Sequence, residues 1–121
     1  MRCSIVSLNI RMEITLAELK DLQARIVNTR HERGFVTDPL KLQILLTEEV
    51  GEISAELKRL WSQNYDAFSR ERVANELADT FVLLSALASE FDIDLESAVE
   101  SKFFNSDSER KWASANTKSN K

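Results

Sequence analysis

Residues that turn or break a chain are nearly missing here: two glycines and one proline in 121 residues, where average usage supplies roughly 12% of the two together. A β-sandwich or barrel needs a turn every 8–12 residues or so, which this composition cannot provide. Neither a Gly-rich phosphate loop nor a Rossmann fingerprint occurs. What remains is a chain of a few long helices, an all-α fold. Hydrophobic residues at 43% and charged residues at 30% give a globular balance. The length suits one domain, which can bury roughly two-thirds of its unfolded surface. A net charge of −4 leaves no basic footprint for nucleic acid. No apolar run approaches the 18 or so residues of a membrane span, so no membrane partner is expected. Cys3 is the single cysteine and His31 the single histidine, which excludes an intrachain disulfide, most zinc chemistry and Ser-His-Asp catalysis. The opening MRCSIVSLNIRM lacks a signal peptide's apolar core and small-residue cleavage site, so a cytoplasmic, reducing location is expected.

Start and stop signals divide the chain into four helices. Thr15 and Glu18 form a capping box ahead of Leu19, Leu22, Ile26 and Val27. The first helix is therefore expected to start there, after a poorly structured 1–12, and to stop at Gly34. Asp38-Pro39 is an N-cap followed by proline at the first helical position, and the second helix should reach the Trp61–Asn64 region. Asp66 or Ser69 opens a third helix ending near Glu90-Phe91, and Asp94 caps a fourth. The domain spans 1–112, and the polar stretch 113–121 is expected to be disordered. Within the third helix LADTFVLLSALA (77–88) is apolar nearly all round, with Asp79 its only charge. Such a helix needs cover on every side. Four helices in so short a chain cannot enclose one of their own, which predicts a second subunit, as a homodimer or a dimer of dimers.

The acids fall where apolar residues belong. With Glu49 at zero on a helical wheel, Leu42 and Leu60 lie at about 20°, Ile53 at about 40°, Leu46 at about 60° and Leu45 at about −40°. Glu49 is thus in the middle of the apolar stripe, with Glu56 at about −20°, Glu52 at about −60° and Glu48 further out at about −100°. Glu76 and Asp79, three apart, share one face of the next helix with Arg72 and Asn75. Among Glu49, Glu52, Glu76 and Asp79, only Glu76 has a cation three or four residues away, Arg72. Like charges at these spacings destabilise a helix, and an isolated buried carboxylate tends to protonate. Two acidic pairs facing each other across a helical hairpin make sense around a cation. An all-oxygen site suits Mg²⁺, Mn²⁺ or Ca²⁺ and not Zn²⁺ or Cu²⁺. Mg²⁺ commonly shares its coordination with substrate phosphates, which points to phosphate chemistry.

The run LLTEEVGEISAELKRLW followed by NELADTFVLLSALA resembles the MazG-type all-α nucleoside triphosphate pyrophosphohydrolases. Their EExxE…ExxD signature reads here Glu48-Glu49-x-x-Glu52 and Glu76-x-x-Asp79, with residues 53–75 between. The likeness extends from about Leu19 to Trp112. It takes in a DLxxAxxxK pattern at Asp94, Leu95, Ala98 and Lys102, and an N…RxW-like end at Asn105, Arg110 and Trp112. The resemblance implies a MazG-like bundle whose central hairpin carries the acidic site. It also implies Mg²⁺-dependent cleavage of a (d)NTP between the α and β phosphates, with Mn²⁺ able to substitute. Glu49, Glu52, Glu76 and Asp79 would hold the metal; Glu48 would either support those ligands or activate the attacking water, which makes Glu48 and Glu49 the catalytic candidates. Lys102, Asn105 and Arg110 become candidates for substrate binding. Trp61 could stack on a base or simply cover the hairpin. Arg33-Gly34-Phe35…Pro39 is similar to the arginine-glycine-tryptophan stretch of deoxycytidine-triphosphatase-like relatives, but Phe35 replaces the tryptophan and the spacing is shorter. Phosphoribosyl-ATP pyrophosphohydrolase, with the same hairpin, is the nearer alternative. A non-catalytic adaptor whose acidic groove binds a basic partner is the more distant one.

Overall fold

In the computed structural model, which describes residues 5–112, four α-helices follow one another: α1 (Ile5–Glu32), α2 (Pro39–Leu57), α3 (Arg70–Glu90) and α4 (Leu95–Val99). No strand occurs among the described residues. A short 3₁₀ turn, Lys58–Leu60, prolongs α2, and α4 runs on as a π-helical segment, Glu100–Ser106. No described helix is long and apolar enough to cross a membrane. The stretch 113–121 lies outside the described residues.

Most boundaries are set by single side chains. The Asp38 carboxylate accepts from the backbone N–H of Leu40 (2.9 Å) and Lys41 (3.2 Å), with Pro39 leading the first turn of α2. Of the two openings available to α3, the chain uses Ser69, whose hydroxyl accepts from Arg72 N–H. Asp94 caps α4 through Glu96 N–H. Gly34, at φ 69°, ends α1 in a Schellman motif, with Phe35 N–H on the Arg30 carbonyl and Gly34 N–H on that of His31. Asp92, at φ 54°, closes α3 by the same pair of bonds to Ala88 and Ser89. There aspartate occupies the left-handed position that glycine usually fills.

The start of α1 differs from expectation. The helix begins at Ile5, ten residues before the Thr15–Glu18 box, so the segment 5–12 is not the poorly structured lead-in that the sequence suggested. Between Ile5 and Arg33 there is neither glycine nor proline to interrupt a helix, and a Thr-x-x-Glu pair inside continuous helix caps nothing. The fourth helix also departs from the plain α-helix expected, because only Leu95–Val99 keeps α geometry before the wider π turns.

The structure is organised around the pairing of α2 with α3. Leu42 packs with Leu83 and Ala86, while farther along Glu56 meets Arg72, so the two helices run antiparallel in one register. Leu42 is fully buried, and Val36, Leu45, Leu46 and Leu87 pack around this centre. Helix α1 lies against α3, and α4 against α1. The junction is held by Gln23, a buried polar residue of α1. Its amide donates to Ser89 Oγ (3.0 Å) and the Ile93 carbonyl (2.8 Å), and its oxygen accepts from Leu95 N–H (3.0 Å). One side chain thereby satisfies the end of α3 and the start of α4 together.

Replacing Gln23 with Ala strands these buried partners, and unsatisfied buried groups cost about 1–3 kcal/mol. Q23A is expected to lower the melting temperature by about 10 °C, checked by thermal unfolding followed by circular dichroism; a shift within about 2 °C would refute the role.

Candidate metal centre and adjoining cleft

Glu49 of α2 and Glu76 and Asp79 of α3 converge: one carboxylate oxygen from each lies within 4.8 Å of the others. The antiparallel register explains this. Glu49 sits in the buried stripe two turns beyond Leu42, and Asp79 precedes Leu83 by one turn, so the packing that buries the leucines brings the acids together. Glu49 and Glu76 are partly buried and Asp79 is exposed. None of the three has a salt-bridge partner among the described residues. The Glu49 carboxyl is held above its ordinary value of 4.5. Removal from water is the main cause, followed by the negative charges of Asp79 and Glu76, a hydrogen bond to Glu76, and the charge of Glu48.

The remaining acids of the hairpin behave differently. Glu52 and Glu48 are exposed and stand outside the triad, so the expected fourth ligand, Glu52, is not brought to the other three. Its place at the edge of the stripe turns it toward solvent. Glu56, equally misplaced on the wheel, has its own counterions. Its Oε2 accepts from Arg59 Nε (3.1 Å) and Arg72 Nε (3.0 Å), with the side chain only 13% exposed. Arg72 is therefore not the intrahelical partner of Glu76 that the spacing suggested. It reaches across the hairpin to α2 and also donates to the Ala67 carbonyl (2.6 Å). Glu76 is left to the triad.

A cleft of about 650 Å³ opens beside the acids, with Glu49 and Asp79 on one wall. Leu45, Val82 and Leu83 form an apolar floor, and α1 and the α1–α2 connection supply Arg25, Arg33 and Phe35 opposite. Arg30 braces that connection. Its guanidinium donates to the Val36 carbonyl (3.1 Å) and lies 5.0 Å from the centre of the Phe35 ring. The α1 residues went unmarked in the sequence because nothing local shows which face of α1 meets the hairpin. The one signal was the resemblance at Arg33-Gly34-Phe35, and the cleft does contain both side chains.

The substrate-binding candidates from the C-terminal part lie elsewhere in the chain. Lys102 Nζ pairs with Asp107 (3.2 Å), as does Arg110 (3.8 Å). Arg110 and Trp112 line a second cleft with Phe103 and Phe104, and Asn105 borders a third with Glu96 and Glu100. Trp61, 76% exposed, stands at the end of the hairpin and lines none of these. Comparison with protein-family models, curated proteins and solved structures returns no match.

A carboxyl raised on folding binds its proton more readily in the native chain than in the unfolded one. Its contribution therefore favours the fold at low pH and is lost as pH rises from about 4.5 through the raised value. In EDTA, E49Q is expected to be more stable than the wild type at pH 7 by about 0.5 kcal/mol, the scale of one or two like-charge pairs. The gain should shrink toward pH 4, as measured by thermal melts across the range. A less stable E49Q at pH 7 would show that the carboxylate has a structural partner.

Proposed function

We propose that this chain is a Mg²⁺-dependent nucleoside triphosphate pyrophosphohydrolase of the MazG type, converting a (d)NTP and water to the monophosphate and diphosphate. The observation that carries the reading is the convergence of Glu49, Glu76 and Asp79, with no counterion among the described residues, beside a cleft of nucleotide size. The donor set fits the group that the resemblance implies. Three carboxylates and no nitrogen or sulfur make a hard, all-oxygen site, and the raised Glu49 carboxyl marks negative charge that a divalent cation would offset. The fit is by three residues and not the four expected, since Glu52 is exposed and outside the cluster. When bound, Mg²⁺ neutralises phosphate oxygens and makes a coordinated water more acidic.

The protein's own groups have distinct parts in this reading. Glu49, Glu76 and Asp79 would hold the ion, and the packing of the hairpin holds these three carboxylates in place beside the cleft. Glu48 is exposed at the edge of the triad and near enough to act on Glu49 electrostatically. It accepts the proton of the water that attacks the α-phosphorus, while the bond to the bridging oxygen breaks and diphosphate departs. The apolar floor and the Phe35 ring shelter the organic end of the substrate. The acting unit is a homodimer or a dimer of dimers. Support comes from apolar side chains left in water: Leu40 and Ile44 of α2 are 77% and 67% exposed, and Leu77 of α3 is 52% exposed.

A (d)NTP panel with Mg²⁺, followed by diphosphate release, tests the activity directly. E49A and D79A are each expected to reduce turnover by at least about a hundredfold while remaining folded; E48Q should lower kcat more than it weakens Mg²⁺ binding. Release from phosphoribosyl-ATP alone would reassign the substrate, and no release from any nucleotide would favour a non-catalytic acidic adaptor. Sedimentation at micromolar concentration is expected to show a dimer or tetramer, and a monomer would refute the assembly.

A further inference from the structure

The cleft beside the carboxylates is also lined by three arginines, Arg25 and Arg30 of α1 and Arg33 of the turn that ends it, and their surroundings divide them into two kinds. Arg30 is committed to the fold through the Val36 carbonyl and the Phe35 ring. Arg25 and Arg33 are exposed, line the same cleft as Glu49 and Asp79, and their side chains make no hydrogen bond or salt bridge among the described residues. They are eight residues apart, about 12 Å along the axis, and lie within about 80° of each other around it. Thr29, between them on the same face, also lines the cleft. Two long guanidinium side chains at this separation can converge on one elongated anion.

The cations that sequence similarity offered for this purpose are already engaged. Lys102 and Arg110 share Asp107, and neither lines the cleft with the acids. A polyphosphate approaching Glu49, Glu76 and Asp79 is repelled by all three, so one end requires a bridging cation and the other requires positive charge from elsewhere. Among the described residues, the basic side chains lining this cleft are Arg25, Arg30 and Arg33. Guanidinium suits the need, since its planar fork binds phosphate oxygens in pairs and stays charged at any working pH.

We propose that Arg25 and Arg33 grip the anionic tail of a polyphosphate ligand, opposite the carboxylates of the hairpin. That the ligand is a nucleoside triphosphate rests on the pyrophosphohydrolase reading; that it carries a polyphosphate tail is the claim made here. Calorimetric binding of inorganic triphosphate to the full chain in Mg²⁺ is the test. Arg25→Gln and Arg33→Gln should each weaken binding by about tenfold, within the range for a lost charged hydrogen bond, and the double variant by more. Arg70→Gln, which removes an exposed charge of α3, should leave it within twofold, as an order-of-magnitude expectation for remote surface charge. Arg33→Lys should restore part of the loss, and binding should weaken with salt more steeply in the wild type than in the double variant. Melting temperatures unchanged to within about 3 °C would separate lost contacts from lost structure. Triphosphate binding that is absent in the wild type, or indifferent to the double substitution, or lost instead in Lys102→Gln and Arg110→Gln, would overturn the proposal. Failure of the wild type to hydrolyse any (d)NTP, read in a parallel turnover assay, would instead remove the pyrophosphohydrolase reading and leave the binding result standing.

Discussion

The seam between α2 and α3 sets both the stability of the chain and its chemistry. At one point along it Leu42, Leu83 and Ala86 exclude water. Two turns farther along α2 the same seam presses Glu49 toward Glu76 and Asp79, and beyond that it joins Glu56 to Arg72. The register that buries the leucines also determines which acids meet. Burial of a leucine contributes about 2 kcal/mol, whereas a like-charge pair near water costs a few tenths. Apolar packing can therefore hold three carboxylates together without a cation, and a bound ion would only relieve the strain.

Glu49 and Glu56 show how alike two positions can be in sequence and how unlike in structure. They are seven residues apart, on the same stripe, and each looks misplaced on the wheel. Glu56 receives two guanidiniums and becomes a clamp between α2 and α3. Glu49 receives two carboxylates and a raised affinity for its proton. The difference lies partly in Arg59, three residues beyond Glu56, and partly in α3, which offers Arg72 at one level and Glu76 with Asp79 at the next. An acid in an apolar stripe thus signals only that a partner is required. The opposite helix decides whether that partner is a guanidinium from the chain or an ion from solution.

This also explains what could be read from the residues and what could not. Asp38-Pro39, Ser69, Gly34 and Asp94 act within three or four residues of themselves, so the helix ends they set were legible. The meeting of Glu49 with Glu76 and Asp79 was legible too, because amphipathic periodicity fixes which face of each helix enters the seam. Arg72 was misassigned because a side chain that long can choose between its own helix and the next, and spacing describes only the first option. Glu52, at the edge of the stripe, is exposed and is not among the three acids that converge. The capping box at Thr15 was a local pattern overridden by uninterrupted helix on both sides. Arg25 had no local signature and Arg33 only the resemblance at Arg33-Gly34-Phe35, since their place beside the acids comes from where α1 lies against α3.

The positions of the arginines and the acids together imply a division of labour among the helices. The hairpin supplies negative charge that is held rigidly by its own packing. Helix α1 and the turn that ends it supply positive charge on Arg25 and Arg33, whose side chains have no partner among the described residues, with Arg30 and the Schellman turn at Gly34 fixing that end of the cleft. Gln23, on the same helix two residues before Arg25, ties α1 to the junction of α3 and α4. The placement of α1 over the cleft is thus secured at both ends of the arginine-bearing segment. A substrate that draws the two walls together would meet groups whose backbones are already in place, and the ordering cost of binding would fall mainly on the two free guanidiniums.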